Sequence, residues 1–202
     1  MNLIIPSNNT INKFNIDFKK YQASRYFIAD LAITNLFESF PENNKIEDIL
    51  LKINAINTFY STNIYSIYKL ASYILTLRID LKLAKGEFEV VNEICVGHGI
   101  PKPKGQGDRN LYSFASKYCS WHNSNTFPIY DDFVGQILIA YRQKDFFSDF
   151  EDIDLKDYKK FVKIISDFKF HYKLTEHNLK EIDKFLWMYG KEQFPKKYYK
   201  KK

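Results

Sequence analysis

Gly105-Gln-Gly107-Asp-Arg109 and, one helix length later, Phe127-Pro-Ile-Tyr-Asp131 are the two stretches that best define the fold of this chain. Two glycines separated by one residue let the backbone turn tightly and present bare N–H groups, which can bind a phosphate. The distance between the stretches leaves room for one helix. We therefore expect a hairpin, a helix and then a carboxylate that lies beside whatever the hairpin holds. For the glycine pair taken alone, an ordinary glycine-rich loop is the alternative.

The sequence on either side of these stretches has the pattern of a helical protein. It contains seven glycines and six prolines, and its apolar residues recur at intervals of three and four rather than two. We predict an all-α protein with little or no sheet. The predicted helices cover about 10–21, 26–36, 46–57, 64–75, 87–95, 110–121, 133–141, 155–168 and 179–189.

Several residues are suited to end these helices. A cap near Asp154 is expected for the penultimate helix, and Thr175 is expected to cap the last one, because short polar side chains satisfy the N–H groups of a first turn. Gly190 is expected just past the end of the last helix. The final residues, 196–202, form a basic tail that we expect to be frayed.

Charge indicates the kind of partner. Thirty Lys and Arg residues against 24 Asp and Glu residues give a net charge of +6 and a pI near 9.0. This balance favours a polyanionic partner such as nucleic acid, although a basic protein without such a partner would show it too. The abundance of Asn, Ile, Lys, Tyr and Phe also fits AT-rich coding DNA, which raises the lysine count without functional meaning.

Cysteine and histidine usage bears on cofactors and compartment. Cys95 and Cys119 form no CxxC pair, which argues against a zinc or iron–sulfur site built on cysteine. His98, His171 and His177 show no metal-ligand spacing with acids or cysteines, so no metal and no cofactor are expected. No apolar run reaches the roughly 20 residues of a membrane span, and the N-terminal apolar stretch is too short for a signal peptide. We expect a cytoplasmic protein that does not bind membranes.

The residues around Asp131 suggest a chemical role. Asp131 stands at the start of a predicted helix, where its carboxylate could cap the backbone amides and also face a cleft, and Asp132 could do either instead. Removing a base from a sugar creates positive charge at the anomeric carbon. A nearby carboxylate can stabilise that centre or activate water. Near the hairpin, Asp108 or Asn110 could cap the following helix, whose N-terminus favours phosphate.

Together these features resemble the helix-hairpin-helix base-excision DNA glycosylases, which include endonuclease III, the 8-oxoguanine glycosylases and the alkylpurine glycosylases. In that family a Leu-Pro-Gly-x-Gly hairpin opens a helix and an aspartate begins the next one. Gly105, Gly107 and Asp131 match these places, and Asp131-Asp-Phe-Val134 is similar to the family's Asp-x-x-apolar pattern. Residues 54–73 resemble the early helix-turn-helix whose polar turn faces the lesion.

The resemblance covers roughly residues 45–141 and implies a fold and a site. It implies a two-lobed helical bundle with a helix-hairpin-helix motif and a basic cleft between the lobes. A single globular unit over 1–195 would have its core at about 45–141, completed by helices from 10–44 and 142–195. Asp131 would be the catalytic carboxylate. The polar turn would bring to the extruded nucleotide Tyr60, Ser61, Thr62 and Asn63.

The chain also departs from the family pattern. Lys104 stands where the family has proline, and a few extra residues at 119–126 lengthen the segment before the aspartate. Bifunctional members carry a lysine two positions after the second glycine, where its amine attacks the sugar. Arg109 occupies that place and stays protonated, so a monofunctional enzyme is expected. With a shifted alignment Lys104 or Lys117 could supply the amine, although Lys117 is expected to contact solvent or phosphate.

Residues near these motifs could contact a base or the DNA backbone. Trp121, His122 and Tyr130 could stack on or hydrogen-bond a flipped base. Packing in the core is the alternative for the two aromatics, and a loop position bonded to the backbone is the alternative for His122. Phosphate contacts are expected from Lys102, Lys104, Gly105, Gly107, Arg109 and Asn110, and from the lysines of the tail.

The sequence thus predicts a monomeric, monofunctional DNA glycosylase, in which Asp131 promotes attack of water on the N-glycosidic bond of a damaged or modified base in double-stranded DNA. A role in repair or in defence against phage would fit. Two other hypotheses stay open. The chain could be a helix-hairpin-helix DNA-binding or sensor module without chemistry, or a helical protein-interaction protein.

Overall fold

A computed structural model describes residues 3–20, 25–102 and 107–195. These residues form ten α-helices and one 3-10 helix, with no strand longer than an isolated bridge. The prediction of an all-α protein is therefore confirmed. The helices are α1 Asn8–Lys20, α2 Arg25–Ser39, α3 Ile46–Tyr60, α4 Ile67–Leu77, α5 Asp80–Lys85, α6 Glu89–Cys95, α7 Tyr112–His122, α8 Asp132–Asp145, the 3-10 helix Asp152–Lys156, α9 Tyr158–His171 and α10 Leu179–Gln193.

The chain divides into two compact units. We call Lys19–Ile129 the central unit, and Met1–Phe18 together with Tyr130–Lys202 the discontinuous unit. These boundaries differ from the expected ones at 45 and 141. The physical reason is packing: α2 lies on α3 and α7 and so belongs with the central unit, whereas α8 lies on α10 and so belongs with the discontinuous unit.

The central unit is built around α7. Nine of the eleven α7 residues are buried, which is typical of a helix surrounded by others. The helices α2, α3 and α6 pack against it, and α4 packs on α3. The apolar repeats seen in the sequence supply this core, which includes Ile49, Ile53, Ile56, Leu70, Ile74, Val90, Ile94, Phe114 and Tyr118.

In the discontinuous unit, α8 and α10 approach closely at Gly190. A Cβ at Gly190 would lie only 2.5 Å from the carbonyl oxygen of Phe133. The expectation that Gly190 ends the last helix is wrong, because α10 continues to Gln193. Glycine is present there because it lets two helix backbones come together.

Two expected helix caps are corrected. Asn178, not Thr175, caps α10: its side chain accepts from the N–H of Glu181, whose own side chain completes a capping box. Asp157, not Asp154, caps α9. Asp154 lies instead in the 3-10 helix.

Among the helices of the part of the chain that the structure describes, none has the length and apolar character needed to cross a bilayer.

Candidate nucleic-acid interface and carboxylate

Between α6 and α7, residues 100–102 and 107–109 pair in antiparallel fashion around an isolated bridge between Pro101 and Asp108, and we call this pair of segments the ribbon. The N–H of Lys102 donates to the carbonyl of Gly107 at 3.2 Å, and the N–H of Arg109 donates to that of Ile100 at 2.7 Å. Gly107 has φ +83°, a conformation that favours glycine. Lys102 and Gly107 are exposed. Lys104 and Gly105 lie outside the described residues, as do the lysines of the tail.

The residues after the hairpin hold the base of the ribbon. The Asp108 carboxylate accepts from the N–H of Gly99 at 2.9 Å. The Asn110 side-chain oxygen accepts from the N–H of Tyr112 at 2.9 Å and from the Cys95 thiol at 3.0 Å. Because these residues close the ribbon, α7 begins at Tyr112, later than the predicted 110. Asn110 thus binds an N–H of the first turn of α7, whereas Asp108 faces the opposite strand.

The polar turn between α3 and α4 is held by Asn57. The Asn57 side chain donates to the carbonyl of Ile64 at 3.0 Å and accepts from its N–H at 2.8 Å. The same oxygen accepts from the Thr62 hydroxyl at 2.8 Å. Ser61 and Asn63 both have positive φ, near 51° and 55°, and are exposed. The turn therefore has one well-defined backbone conformation.

Arg109 connects the ribbon to this turn. Its guanidinium group donates to the backbone carbonyl of Thr62 at 3.0 Å and to that of Asn63. A second connection comes from Lys69, whose Nζ donates to the carbonyl of Gly99 at 2.6 Å. The structure thus brings together two of the sequence motifs, the hairpin and the polar turn, and Arg109 serves as the clamp between them.

Tyr60 and Lys117 lie together inside the central unit. Lys117 Nζ is 5.4 Å from the centroid of the Tyr60 ring and donates to the Ser113 hydroxyl at 2.6 Å. Lys117 is only 2% exposed, so the expectation that it contacts solvent or phosphate is wrong. The apolar stem and paired ammonium group let it fill the core beside an aromatic ring.

Trp121 and His122 belong to an aromatic cluster at the end of α7. Phe37 lies 6.2 Å from Trp121 and 4.8 Å from His122, measured between ring centroids, and Trp121 is buried. His122 Nε2 lies 3.2 Å from the side-chain nitrogen of Asn43. Burial, together with the charge of Lys52, lowers the pKa of His122 to about 3. The imidazole is therefore neutral at physiological pH.

Asp131 begins α8. It has extended backbone angles, and its side chain accepts from the N–H of Phe133 at 3.0 Å, which is the hydrogen bond of an N-cap. The preceding Tyr130 is buried and accepts from Lys156 Nζ at 2.7 Å, with that nitrogen 4.2 Å from its ring centroid. Asp132 is more open, its side chain being 72% exposed. The carboxylate to which we assign the chemistry is thus also the N-cap of α8. Buried aromatic residues hold the start of this helix in place.

Sequence reasoning missed a buried polar cluster in the central unit. Lys52 is completely buried, and its Nζ donates to the carbonyls of Phe40 and Glu42 and to the side-chain oxygen of Asn43. Burial lowers its pKa to about 8, against the opposing influence of Asp80 and Asp48. The sequence did carry a signal for this burial, because Lys52 comes three residues after Ile49 and therefore lies on the apolar face of α3. A lysine on a buried helix face needs internal acceptors.

Groups of three or more His, Cys, Asp or Glu side chains arranged to hold a metal ion do not occur within 3–20, 25–102 and 107–195.

Comparison with known proteins identifies a family. Residues 8–126 match the family HI_0787_N, which is described as an N-terminal domain. An uncharacterized protein of Haemophilus influenzae is 43% identical over 152 residues, which make up 75% of this chain and 70% of that protein. No solved structure is significantly similar. Because the family model matches more than half of this chain, the chain belongs to the HI_0787_N family.

Proposed function

We propose that this protein is a monofunctional DNA glycosylase, which hydrolyses the N-glycosidic bond of a damaged or modified base. The observation that carries the proposal is the position of Asp131. Its carboxylate caps α8 through the N–H of Phe133, and in the resemblance to the helix-hairpin-helix glycosylases it corresponds to the catalytic aspartate. The two-lobed bundle with a helix-hairpin-helix motif and a basic cleft is part of this proposal, and so is double-stranded DNA as the substrate.

In the proposed reaction a water molecule replaces the base. The water oxygen forms a bond to the anomeric carbon, the bond from that carbon to the base nitrogen breaks, and its electron pair leaves with the base. The Asp131 carboxylate stabilises the positive charge that develops on the sugar and accepts the proton that the water loses. The base nitrogen takes up a proton from solvent, and Asp131 returns its proton to solvent, which completes the reaction. The base must first leave the stack, at a cost of a few kcal/mol, so recognition of a modification would supply the selectivity.

The contacts of Arg109 support a mechanism without a covalent intermediate. A guanidinium group stays protonated and is a poor nucleophile, and here it donates to the carbonyls of Thr62 and Asn63. Lys117, the alternative amine, is buried against Tyr60 and Ser113. Water is therefore the nucleophile that we propose.

The ribbon is the proposed anchor for the DNA backbone. Lys102 and Gly107 are exposed on it, and a glycine leaves the backbone N–H groups accessible to a phosphate. Lys104, Gly105 and Asn110 belong to the same proposed contact. These contacts would add affinity that depends on salt but not on base sequence.

The test compares two adjacent carboxylates. Genomic DNAs that carry different damaged or phage-modified bases are incubated with the wild-type protein, Asp131→Asn and Asp132→Asn, and released bases are identified by mass spectrometry. Asparagine is as good an N-cap as aspartate, so Asp131→Asn removes the charge while the helix start is kept. A base that is released by the wild type and by Asp132→Asn, but not by Asp131→Asn, supports the proposal. Release that is unchanged in Asp131→Asn contradicts the role given to Asp131.

A second candidate is a DNA-binding module of the same fold without chemistry. The use of Arg109 as a clamp on the polar turn favours it, because the residue in the place of the catalytic lysine then serves the structure. This candidate predicts DNA binding that Asp131→Asn leaves unchanged and no base released from any of the DNAs.

A further inference from the structure

Two tyrosines next to the polar turn are exposed to an unusual degree. Tyr65, between α3 and α4, is 90% exposed, and Tyr68, in the first turn of α4, is 68% exposed. A single exposed aromatic residue needs no explanation, but two large exposed rings within four residues of each other are an unusual concentration of exposed apolar area. The sequence motifs did not single out either residue.

The backbone that carries Tyr65 is held in place on both sides. Ile64, immediately before it, is 2% exposed and is bound through both backbone groups by the Asn57 side chain. Arg109 holds the carbonyl of Asn63. The Tyr65 ring therefore extends into solvent from a fixed turn rather than from a loose loop. A backbone held in this way loses little conformational entropy on binding, so that the remaining cost is that of the ring itself.

Basic residues are found on the helix that carries Tyr68 and on the ribbon that is bound to the polar turn. Lys69 follows Tyr68 directly, is exposed, and donates to Gly99 at the foot of the ribbon. Lys102 is exposed on the ribbon itself. The neighbouring carboxylate, that of Asp108, accepts from the N–H of Gly99. The polar turn, the first turn of α4 and the ribbon are linked through Arg109 and Lys69, and together they carry aromatic rings and positive charge, which suits a ligand with flat rings and phosphates.

Residues of the polar turn that are expected at the extruded nucleotide also make contacts within the protein. The Tyr60 ring lies beside Lys117, and the Thr62 hydroxyl binds Asn57. The carbonyls of Thr62 and Asn63 are bound by Arg109. Tyr65 is far more open than Tyr60, which is half-buried.

We propose that Tyr65 and Tyr68 form a stacking platform for unpaired DNA bases, with Lys69 and Lys102 binding the adjoining phosphates. The choice of DNA rests on the proposed function. Aromatic side chains stack on any base and are tolerant of sequence, whereas lysines follow the backbone. This surface would bind a DNA strand at the place where its bases are unstacked.

The test uses two fluorescent strands of equal length, a thymidine oligonucleotide and one made only of abasic deoxyribose, so that phosphate charge is constant and bases are present or absent. Dissociation constants are measured by anisotropy for the wild type, Tyr65→Ala, Tyr65→Phe and Tyr68→Ala. Phe170→Ala is the matched control, because Phe170 on α9 is also 80% exposed. The Tyr variants are exposed-site substitutions, and thermal melting checks that they fold.

We expect Tyr65→Ala and Tyr68→Ala each to weaken binding of the thymidine strand by about 5- to 100-fold. Tyr65→Phe and Phe170→Ala should bind it like the wild type, and all four of these aromatic variants should bind the abasic strand as the wild type does. Lys102→Ala should weaken binding of both strands and make the dependence on salt less steep. A uridine strand of equal length bound much more tightly than thymidine would overturn the assignment to DNA.

The outcome is separable from that of the base-release experiment. Equal binding of thymidine by the wild type, Tyr65→Ala and Tyr68→Ala overturns the platform even if Asp131 releases a base. Strand binding that needs both rings sustains the platform even if no base is released, in which case the glycosylase proposal fails by itself.

Discussion

The side-chain oxygen of Asn43 accepts a buried hydrogen bond of 2.8 Å from the ammonium group of Lys52. The same oxygen accepts from the Tyr118 hydroxyl at 2.5 Å. The side-chain nitrogen donates to Asp80 at 2.6 Å and approaches His122 Nε2 at 3.2 Å. All four hydrogen-bonding positions of the amide are thus occupied. Asn43 joins the loop after α2 to α3, α5 and α7.

Replacing Asn43 by alanine should destabilise the protein strongly. Removal of the amide takes from the Lys52 ammonium group one of its three acceptors inside the central unit, and loss of a buried hydrogen bond to a charged group costs about 1–3 kcal/mol or more. Chemical denaturation should therefore give a free energy of unfolding lower by about this amount. Asn44→Ala is the control, because Asn44 is exposed and its loss should change the value by less than about 0.5 kcal/mol. Equal effects of the two substitutions would contradict the central role of Asn43.

His122 should make the stability depend on acidic pH. Its pKa is lowered from 6.5 to about 3 in the folded protein, so between these values the unfolded chain binds more protons than the folded one. The contribution of the neutral His122 ring to the free energy of unfolding is fully present above pH 6.5. It is lost as the pH falls toward 3, at up to about 1.4 kcal/mol per pH unit. Charging the ring would also set it against Lys52.

The measurement is a series of urea melts of the wild type and His122→Gln over this pH window. The carboxylates titrate in both proteins alike. The difference between the two free energies of unfolding therefore reports the titration of His122 alone. The wild type should lose its advantage as the pH falls. A difference that stays constant from pH 6.5 down to 3 would show that the ring is not buried as described.

Asp131 should contribute to stability separately from any chemistry. Asp131→Ala removes the acceptor for the N–H of Phe133 and should cost about 1 kcal/mol, whereas Asp131→Asn keeps the cap and should cost far less. Thermal melting of both variants checks this. If alanine and asparagine are equally harmless, the side chain does not cap α8.

Gly190→Ala should destabilise the protein, although alanine is the better helix former. On an open helix the change would stabilise by about 1 kcal/mol. Here the new Cβ would meet the Phe133 carbonyl at 2.5 Å, and forcing apart packed backbones costs about 1–3 kcal/mol. The sign of the change in unfolding free energy is the readout, with exposed Glu192→Ala on the same helix as the control. A gain in stability would mean that α8 and α10 are not in contact there.

The sequence was sufficient for features that depend on neighbouring residues. The spacing of Ile49, Ile53 and Ile56 predicted the buried face of α3, because a helix repeats every 3.6 residues. Asp131 was recognisable as a cap from its place before an apolar helix. The all-α class followed from many such local patterns.

The cap of α10 shows a local signal that the sequence interpretation passed over. Thr175 and Asn178 are both good capping residues, but only Asn178 is followed three residues later by a glutamate, Glu181, which is the pattern of a capping box. The tertiary structure agrees with this signal. Leu174 is completely buried and belongs to a turn in which its N–H donates to Lys169 and the N–H of His177 donates to Leu174, so α10 does not begin before Asn178.

Only the tertiary structure decided three features of this protein. They are the burial of Lys52 and Lys117, the close approach of two helices at Gly190, and the contact of Arg109 with the polar turn. Each depends on a partner distant in sequence, such as Asn43 for Lys52 or Asn63 for Arg109. A charged side chain becomes stable inside a protein only when folding brings acceptors to it. The sequence by itself determined where helices form and which faces are apolar, and the assembled helices decided which polar groups serve the fold and which, such as the Tyr65 ring, remain exposed.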